Sequence, residues 1–438
     1  MSGATPAFVA SPGGRVAGEI RVPGDKSISH RAVMLAGIAT GRTEITGFLD
    51  GEDCLATLAA MTAMGVRAER LAADQLRVDG AGRGGLHAPP GPLDLGNSGT
   101  AMRLLAGLLC GQAFDTVLVG DSSLMRRPME RVAAPLRRMG ARIETSDGRP
   151  PLRIRGTPGL VGCQHELEVP SAQLKSAILL AALGAQGRTE VREPALTRDH
   201  TERMLAAFGV PVERHDRMVA VQGPVELRGC PIAVPGDFSS AAFFIVAGLI
   251  ADGAPLLIRN VGVNPTRTGL LEILRLMGAD IRVLDTRMAG GEPVADLEIH
   301  PGPLRGIEVP RALVSTAIDE FPILFAAAAI AEGETLVTGA GELRVKESDR
   351  IAVMAEGLQR LGVRVAVLPD GLRILGGPVE GGVVDSHGDH RVAMAFAVLA
   401  ARAKAPVEIQ DVANVQTSFP GFAATARRSG LLVEKRSA

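Results

Sequence analysis

The sequence predicts an α/β protein of two domains, each built from three βαβαββ-type repeats, with helices inside and strands outside. Three observations predict this. At 438 residues the chain is too long for one compact core. Similar segments recur from near Val22, Asp94, Val169, Val234, Val309 and Val384, at spacings of 72, 75, 65, 75 and 75 residues. The first helical stretch of every repeat is apolar nearly all round, as in Ala32–Ala39 or Phe321–Ala331. Such a helix belongs inside a domain, which leaves the strands to form the outside.

Within a repeat the elements follow in a fixed order. A short β-like run meets a Gly or Ser/Asp turn, and the Ala/Leu-rich helix follows. A second β-run comes next, such as Thr43–Thr46, Thr116–Val119 or Thr335–Val337. A second helix ends in a closing signature: Met64-Gly-Val, Met139-Gly-Ala, Phe208-Gly-Val, Met277-Gly-Ala, Leu361-Gly-Val and the weaker Ser429-Gly-Leu. Glycine there fits the residue just past a helix end, where positive φ is wanted. The shortened spacing ends near residues 230–236, and Cys230-Pro231 and Pro235-Gly236 punctuate it. The expected domains are therefore 21–236, and 1–20 with 237–438.

Composition narrows the function. Hydrophobic residues make up 46% and charged residues 22%, an ordinary globular balance. A net charge of -1 offers no global field for nucleic acid, and the absence of Trp and Tyr removes base-stacking platforms. No apolar run reaches the roughly 20 residues that span a bilayer. Cys54, Cys110, Cys163 and Cys230 are scattered without CxxC spacing, as expected of small hydrophobes in a reducing compartment. The N-terminus has no signal-peptide pattern, so the expected location is the cytoplasm. Of 47 Lys and Arg only five are Lys, yet Lys26, Lys175 and Lys346 fall inside the polar motifs.

Those motifs fall repeatedly at helix starts. In Gly24-Asp25-Lys26-Ser27-Ile28-Ser29-His30-Arg31, either Ser27 or Asp25 caps a helix while Lys26 and Arg31 add charge beside its positive end. That combination suits an anion. The downstream echo Val234-Pro235-Gly236-Asp237-Phe238-Ser239-Ser240 keeps the turn and loses the charges, so it reads as a fold element. Leu95-Gly96-Asn97-Ser98-Gly99-Thr100-Ala101-Met102-Arg103 repeats the anion design, with a helix from Thr100 and glycines that admit a ligand. Arg126-Arg127-Pro128, Ser171-Ala172-Gln173-Leu174-Lys175 and Thr197-Arg198-Asp199-His200 add polar groups at further helix starts. Asp319-Glu320 precedes an apolar helix. Lys346 and Arg350, four apart, are expected to share a helix face, with Glu347–Arg350 an exposed ion pair. His387 and His390 lack further ligands at metal spacing, so no metal site is expected. Lys26, Arg31, Arg127, Arg350 and Arg391 together exceed what one neutral ligand needs. A ligand with more than one negative group is implied.

In this order, GDKSISHR, LGNSGTAMR, RRP, SAQLKSA, TRDHTERML, DEFP, RVKESDR and GDHR resemble the 5-enolpyruvylshikimate-3-phosphate synthases, a branch of the enolpyruvyl transferase family. The resemblance covers nearly the whole chain. It implies a two-domain inside-out α/β barrel whose helix N-termini face an interdomain cleft that closes on substrate. It implies transfer of the enolpyruvyl group of phosphoenolpyruvate to shikimate 3-phosphate, by addition and elimination, without metal or redox cofactor. Its expected partners are those two small molecules, with no nucleic acid or membrane, and a monomer.

Carried over residue by residue, the resemblance gives shikimate 3-phosphate to Lys26, Ser27, Arg31, Ser171, Ala172 (through its backbone), Gln173, Arg198, Asp319 and Lys346. It gives phosphoenolpyruvate to Lys26, Gly99, Arg127, Gln173, Arg350, His390 and Arg391. Asp319 takes the proton of the attacking hydroxyl, Glu347 supplies the methylene proton, and Lys26 and Lys346 balance charge at the reacting groups. Some positions depart from the best-known bacterial pattern. Glu342 stands for a frequent Asn, and Thr417 for a frequent Lys, so Thr417-Ser-Phe-Pro-Gly is given no role. Leu104 replaces a frequent Pro, while Gly99 leaves room for the inhibitor glyphosate. Lys175 and TRDHTERML resemble the family's more divergent second class. Two other readings are weighed. The sister transferase acting on UDP-N-acetylglucosamine normally has Lys-Asn where this chain has Lys26-Ser27, and a Cys that Asp121–Pro128 lacks. A non-catalytic anion binder would have lost Asp319, Lys346 and Glu347.

Overall fold

Each of the six repeats folds into one small sheet laid against buried helices. The structure is a computed structural model that describes residues 6–436. Contacts divide the chain into two units. The first comprises Gly24–Val234 with Met288–Glu292; the second comprises the described residues up to Pro23, Pro235–Arg287, and those from Pro293 onward.

The three sheets of the first unit share one plan. In the second repeat, strand Leu93–Asp94 runs parallel to Thr116–Val119. That strand pairs antiparallel with Arg149–Arg155, which pairs antiparallel with Arg142–Ser146. The third repeat orders Gln164–Glu166, Gly187–Arg192, Met218–Gly223 and Val212–His215 the same way. In the first repeat the leading strand is Ile232–Ala233, from the far end of the segment, parallel to Thr40–Thr46. The sheets are thus mixed, as an α/β fold requires.

The second unit completes its sheets with the N-terminal segment. Val16–Arg21 is the leading strand of the fourth repeat, parallel to Gly253–Gly262. Ala7–Ala10 lies between Val407–Gln410 and Val433–Arg436 in the sixth, antiparallel to both. Phe8 on that strand packs on Phe422 with ring centroids 5.8 Å apart.

The helices are inside and the strands outside, as the sequence predicts. Every residue of the Phe238–Ile250 helix is buried, and the Lys26–Ile38 helix is buried from Ile28 onward. By contrast, strand Arg67–Ala72 has no fully buried residue. The closing glycines also behave as expected. Gly65 has φ of 95°, Gly65 N donates to Thr62 O, and Val66 N donates to Met61 O. This reciprocal pair satisfies carbonyls that the helix end would leave open. Gly140, Gly209, Gly278, Gly362 and Gly430 repeat both the positive φ and the bond pair.

The neutral echo is a fold element. Asp237 Oδ1 caps its helix at Ser239 N (2.8 Å) and accepts from the buried Arg267 at 3.0 Å. Arg267 also donates to Ser239 Oγ at 2.7 Å, and Ser239 Oγ donates to the buried Glu320.

Candidate functional site

In the first unit the polar groups gather at the starts of three buried helices. Asp25, rather than Ser27, caps the Lys26–Ile38 helix, accepting from Ile28 N at 2.9 Å. Lys26 Nζ lies 2.6 Å from Asp53 Oδ2, in the first turn of the Glu52–Ala63 helix. Asp53 is a member of the cluster to which the motifs assign no role; its signal in the sequence is the acidic pair Glu52-Asp53 opening a largely apolar helix.

Arg31 is buried, and its guanidinium bridges three segments. Nε donates to Thr201 Oγ1 (2.7 Å), Nη1 to Ser27 O (2.8 Å) and Nη2 to Ser176 Oγ (2.7 Å). Burial lowers its pKa to about 10, with Arg198, half-buried, adding repulsion. An anion beside two like-charged guanidinium groups relieves their repulsion. His30, beside Arg31, is fully buried and held neutral chiefly by burial, and also by Lys26 and Arg31. Its Nδ1 meets Thr57 Oγ1 at 2.7 Å.

The second helix begins at Gly99, one residue earlier than expected, because Ser98 caps it through Ala101 N at 3.1 Å. Gly99 is tightly placed: a Cβ there would lie 2.6 Å from Arg127 Nη1 and 2.7 Å from Arg103 Nη1. Arg127 Nη2 donates to Asn97 Oδ1 at 3.1 Å, and Arg103 Nη1 to Gln173 Oε1 at 2.7 Å. Gln173 Nε2 in turn reaches Thr100 Oγ1 at 2.8 Å. Gly99, Arg127 and Gln173 therefore belong to one cluster with Arg103, a residue given no role from sequence. Ser171 caps the third helix, Ala172–Ala182, accepting from Leu174 N at 3.3 Å. Ala172 O accepts from Ser176 Oγ at 2.6 Å.

The second unit gathers carboxylates and cations into one cluster. Lys346 Nζ lies 3.2 Å and Arg350 Nη1 3.5 Å from Asp319 Oδ1. The expectation of a shared helix face is corrected. The helix is Arg350–Arg360, with Asp349 capping Ala352 N at 3.0 Å, so Lys346 precedes it. The two cations converge on Asp319 instead. The Glu347–Arg350 pair forms at 2.7 Å, but Arg350 is 1% exposed, so it is not the surface pair expected.

Arg350 also donates to the buried Asp389 Oδ2 at 2.8 Å. Burial alone would depress its pKa, but Asp389, Glu347 and Asp319 raise it. Burial opposes ionisation of Asp389 too, yet Arg350 holds its pKa below the usual carboxylate value. His390 and Arg391 open the next helix, His390–Leu399. Arg391 Nη1 donates to Asp319 O at 3.0 Å and lies 3.6 Å from Glu320 Oε1. Glu342 is half-buried in a short turn, Gly341–Val345. Thr417 is buried, its hydroxyl on Asn414 O at 2.7 Å.

Chemically, the first unit offers cations and capped helix N-termini for phosphate or carboxylate. The second sets four carboxylates, Asp319, Glu320, Glu347 and Asp389, among Lys346, Arg350 and Arg391, and such carboxylates are able to move protons beside bound anions. Known proteins share much of this sequence and its fold. The family pattern of EPSP synthase (3-phosphoshikimate 1-carboxyvinyltransferase) matches residues 10–425. The chain is 60% identical over 433 residues to the 3-phosphoshikimate 1-carboxyvinyltransferase of Alkalilimnicola ehrlichii, covering 98% of this chain and 97% of that one. It is 61% identical over 426 residues to that of Halorhodospira halophila, covering 97% and 96%. EPSP synthase from Acinetobacter baumannii superposes with a TM-score of 0.89 at 50% identity, covering 99% of this chain and all of that one. The enolpyruvyl transferase NikO from Streptomyces tendae shares the fold, with a TM-score of 0.80 at 20% identity over 99% of this chain and all of that one. With sequence motifs, repeat architecture and relatives all in agreement, the chain belongs to the EPSP synthase (3-phosphoshikimate 1-carboxyvinyltransferase) family.

Proposed function

We propose that the chain transfers the enolpyruvyl group of phosphoenolpyruvate to the 5-hydroxyl of shikimate 3-phosphate, releasing phosphate. Its family membership supports the activity. The observation that carries the residue roles is the convergence of Lys346 and Arg350 on Asp319 Oδ1, at 3.2 Å and 3.5 Å. Asp319 accepts the hydroxyl proton as that oxygen bonds to C2 of phosphoenolpyruvate. The C2–C3 π pair takes a proton from Glu347, giving a tetrahedral intermediate. In the second step C3 returns a proton, the double bond re-forms and the C2–O bond to phosphate breaks. Positioned groups and preorganised cations lower both barriers.

Ser27, Arg31, Ser171, Ala172, Gln173 and Arg198 hold shikimate 3-phosphate in this proposal, joined by Lys26, Asp319 and Lys346. Gly99, Arg127, Gln173, Arg350, His390 and Arg391 hold phosphoenolpyruvate, again with Lys26. Arg31 keeps two of its five N–H donors beyond the three bonded within the protein. The proposal also has the enzyme act as a cytoplasmic monomer, which fractionation and sedimentation test. Among the described residues no helix is long and apolar enough to cross a membrane.

The deciding assay is phosphate release from phosphoenolpyruvate, with shikimate 3-phosphate or UDP-N-acetylglucosamine as acceptor. Release with the first alone is expected. Release only with the second overturns the assignment.

A further inference from the structure

Beside the first unit's anion-binding groups lies a buried ionic cluster that the proposed reaction gives no part. Lys175, 2% exposed, projects from the Ala172–Ala182 helix. Its Nζ lies 2.7 Å from Glu193 Oε2, 2.8 Å from Glu202 Oε1 and 3.4 Å from Thr197 O. An ammonium has three N–H groups, and here each has an acceptor, so none remains for a substrate. Thr197 Oγ1 donates to Glu193 in turn. Thr197 is therefore held twice, at its carbonyl by Lys175 and at its hydroxyl by Glu193. The next residue is Arg198. Just beyond, Thr201 is fixed by Arg31 and Glu202 by Lys175.

The cluster is a poor device for stability alone. Glu202 Oε2 is buried without a hydrogen-bond partner. Burial raises the pKa of Glu193, although Lys175 and Thr197 oppose the shift. Apolar side chains of similar volume would join these segments at lower cost. What the ions supply is a fixed direction for the chain on both sides of Arg198, which lies near enough to Arg31 to help lower its pKa.

We propose that Lys175 and Glu193 form a clamp on Thr197 that positions Arg198 for the phosphate-bearing substrate, and that Lys175 is a positioning residue rather than a ligand. The inference rests on the assignment of Arg198 to shikimate 3-phosphate made above. Lys175→Met would strand two buried carboxylates and unfold the protein, so Thr197→Val is the working probe. It removes one hydrogen bond and no charge. It is expected to raise KM for shikimate 3-phosphate about fivefold, with kcat and KM for phosphoenolpyruvate within about twofold of wild type. Added to Arg198→Ala, the same change should alter KM by less than about twofold, because both act through one group. An unchanged KM in Thr197→Val, equal losses for both substrates, or an additive effect in the double variant overturns the clamp. If Arg198→Ala alone leaves the shikimate 3-phosphate KM unchanged, the substrate assignment fails instead, and the clamp's purpose with it.

Discussion

Asp389 accepts from Arg350 Nε at 2.8 Å through one oxygen and from the backbone N–H of Arg391 at 2.9 Å through the other. One buried carboxylate thus joins the starts of two helices, each of which carries a proposed phosphoenolpyruvate ligand. Asp389→Ala removes the cap and leaves Arg350 less compensated. It should destabilise the protein by about 3–5 kcal/mol in urea unfolding. Asp389→Asn keeps an acceptor for the cap and should lose less. An alanine variant as stable as wild type would remove this link from the account.

Lys26→Ala should abolish phosphate release while leaving the circular dichroism spectrum native. Asp53 then loses its 2.6 Å contact with Lys26. The loss in kcat/KM should reach about a thousandfold, as for a cation aimed at developing charge. Near-normal release would contradict the role.

Asp319→Ala should separate chemistry from binding. Loss of a proton acceptor lowers kcat by about a hundredfold or more, while shikimate 3-phosphate binding weakens much less. Isothermal titration beside steady-state kinetics reads both. Equal losses would make Asp319 a binding group only.

Gly99→Ala should act on one substrate. The added Cβ meets Arg127 Nη1 at 2.6 Å and Arg103 Nη1 at 2.7 Å, so at least one guanidinium must move. KM for phosphoenolpyruvate should rise about tenfold, with shikimate 3-phosphate little affected. Glyphosate should inhibit the unmodified enzyme with reduced sensitivity, Leu104 being buried on the helix that presents Gly99. Inhibition as strong as in a homologue with Pro at that position would remove Leu104 as a determinant.

Acid should weaken the fold through histidine. Burial, with help from Arg138, lowers the pKa of His165 to about 4. Between pH 6.5 and 4 the unfolded chain binds a proton that the folded chain refuses. Stability is therefore full above about pH 6.5 and falls as pH drops, by up to about 1.4 kcal/mol per pH unit for one such group. His165→Gln should flatten the slope of urea stability against pH by about one proton in this range. An unchanged slope would show that His165 titrates alike in both states.

The legible parts of this protein were the local ones. The closing glycines and the all-apolar helices follow from a few neighbouring residues, and the structure places them within about one residue. Side-chain partners distant in sequence were not legible. Nothing near Lys26 announces Asp53, and nothing near Arg391 announces Glu320. The shared face expected for Lys346 and Arg350 failed because Asp349 caps the helix between them, and a cap outranks a four-residue interval. The charge of Arg31 marks it in the sequence as a candidate ligand, whereas its neutral partners Thr201 and Ser176 carry no signal that sequence spacing reveals.

The strand Ala7–Ala10 is the third of four in a sheet whose other members begin at Gly382, Val407 and Val433. It precedes all three of them in the chain, so it is synthesised before any of them. The Gly24–Val234 segment finds its strand partners within itself and has no such wait. Synthesis therefore imposes an order: one half can reach its native pairing while the other still holds an unmatched strand edge exposed to foreign chains. Closing the long loop between Ala10 and Gly382 then completes that sheet, so a refolding phase that tracks the return of the Ala7–Ala10 strand is expected.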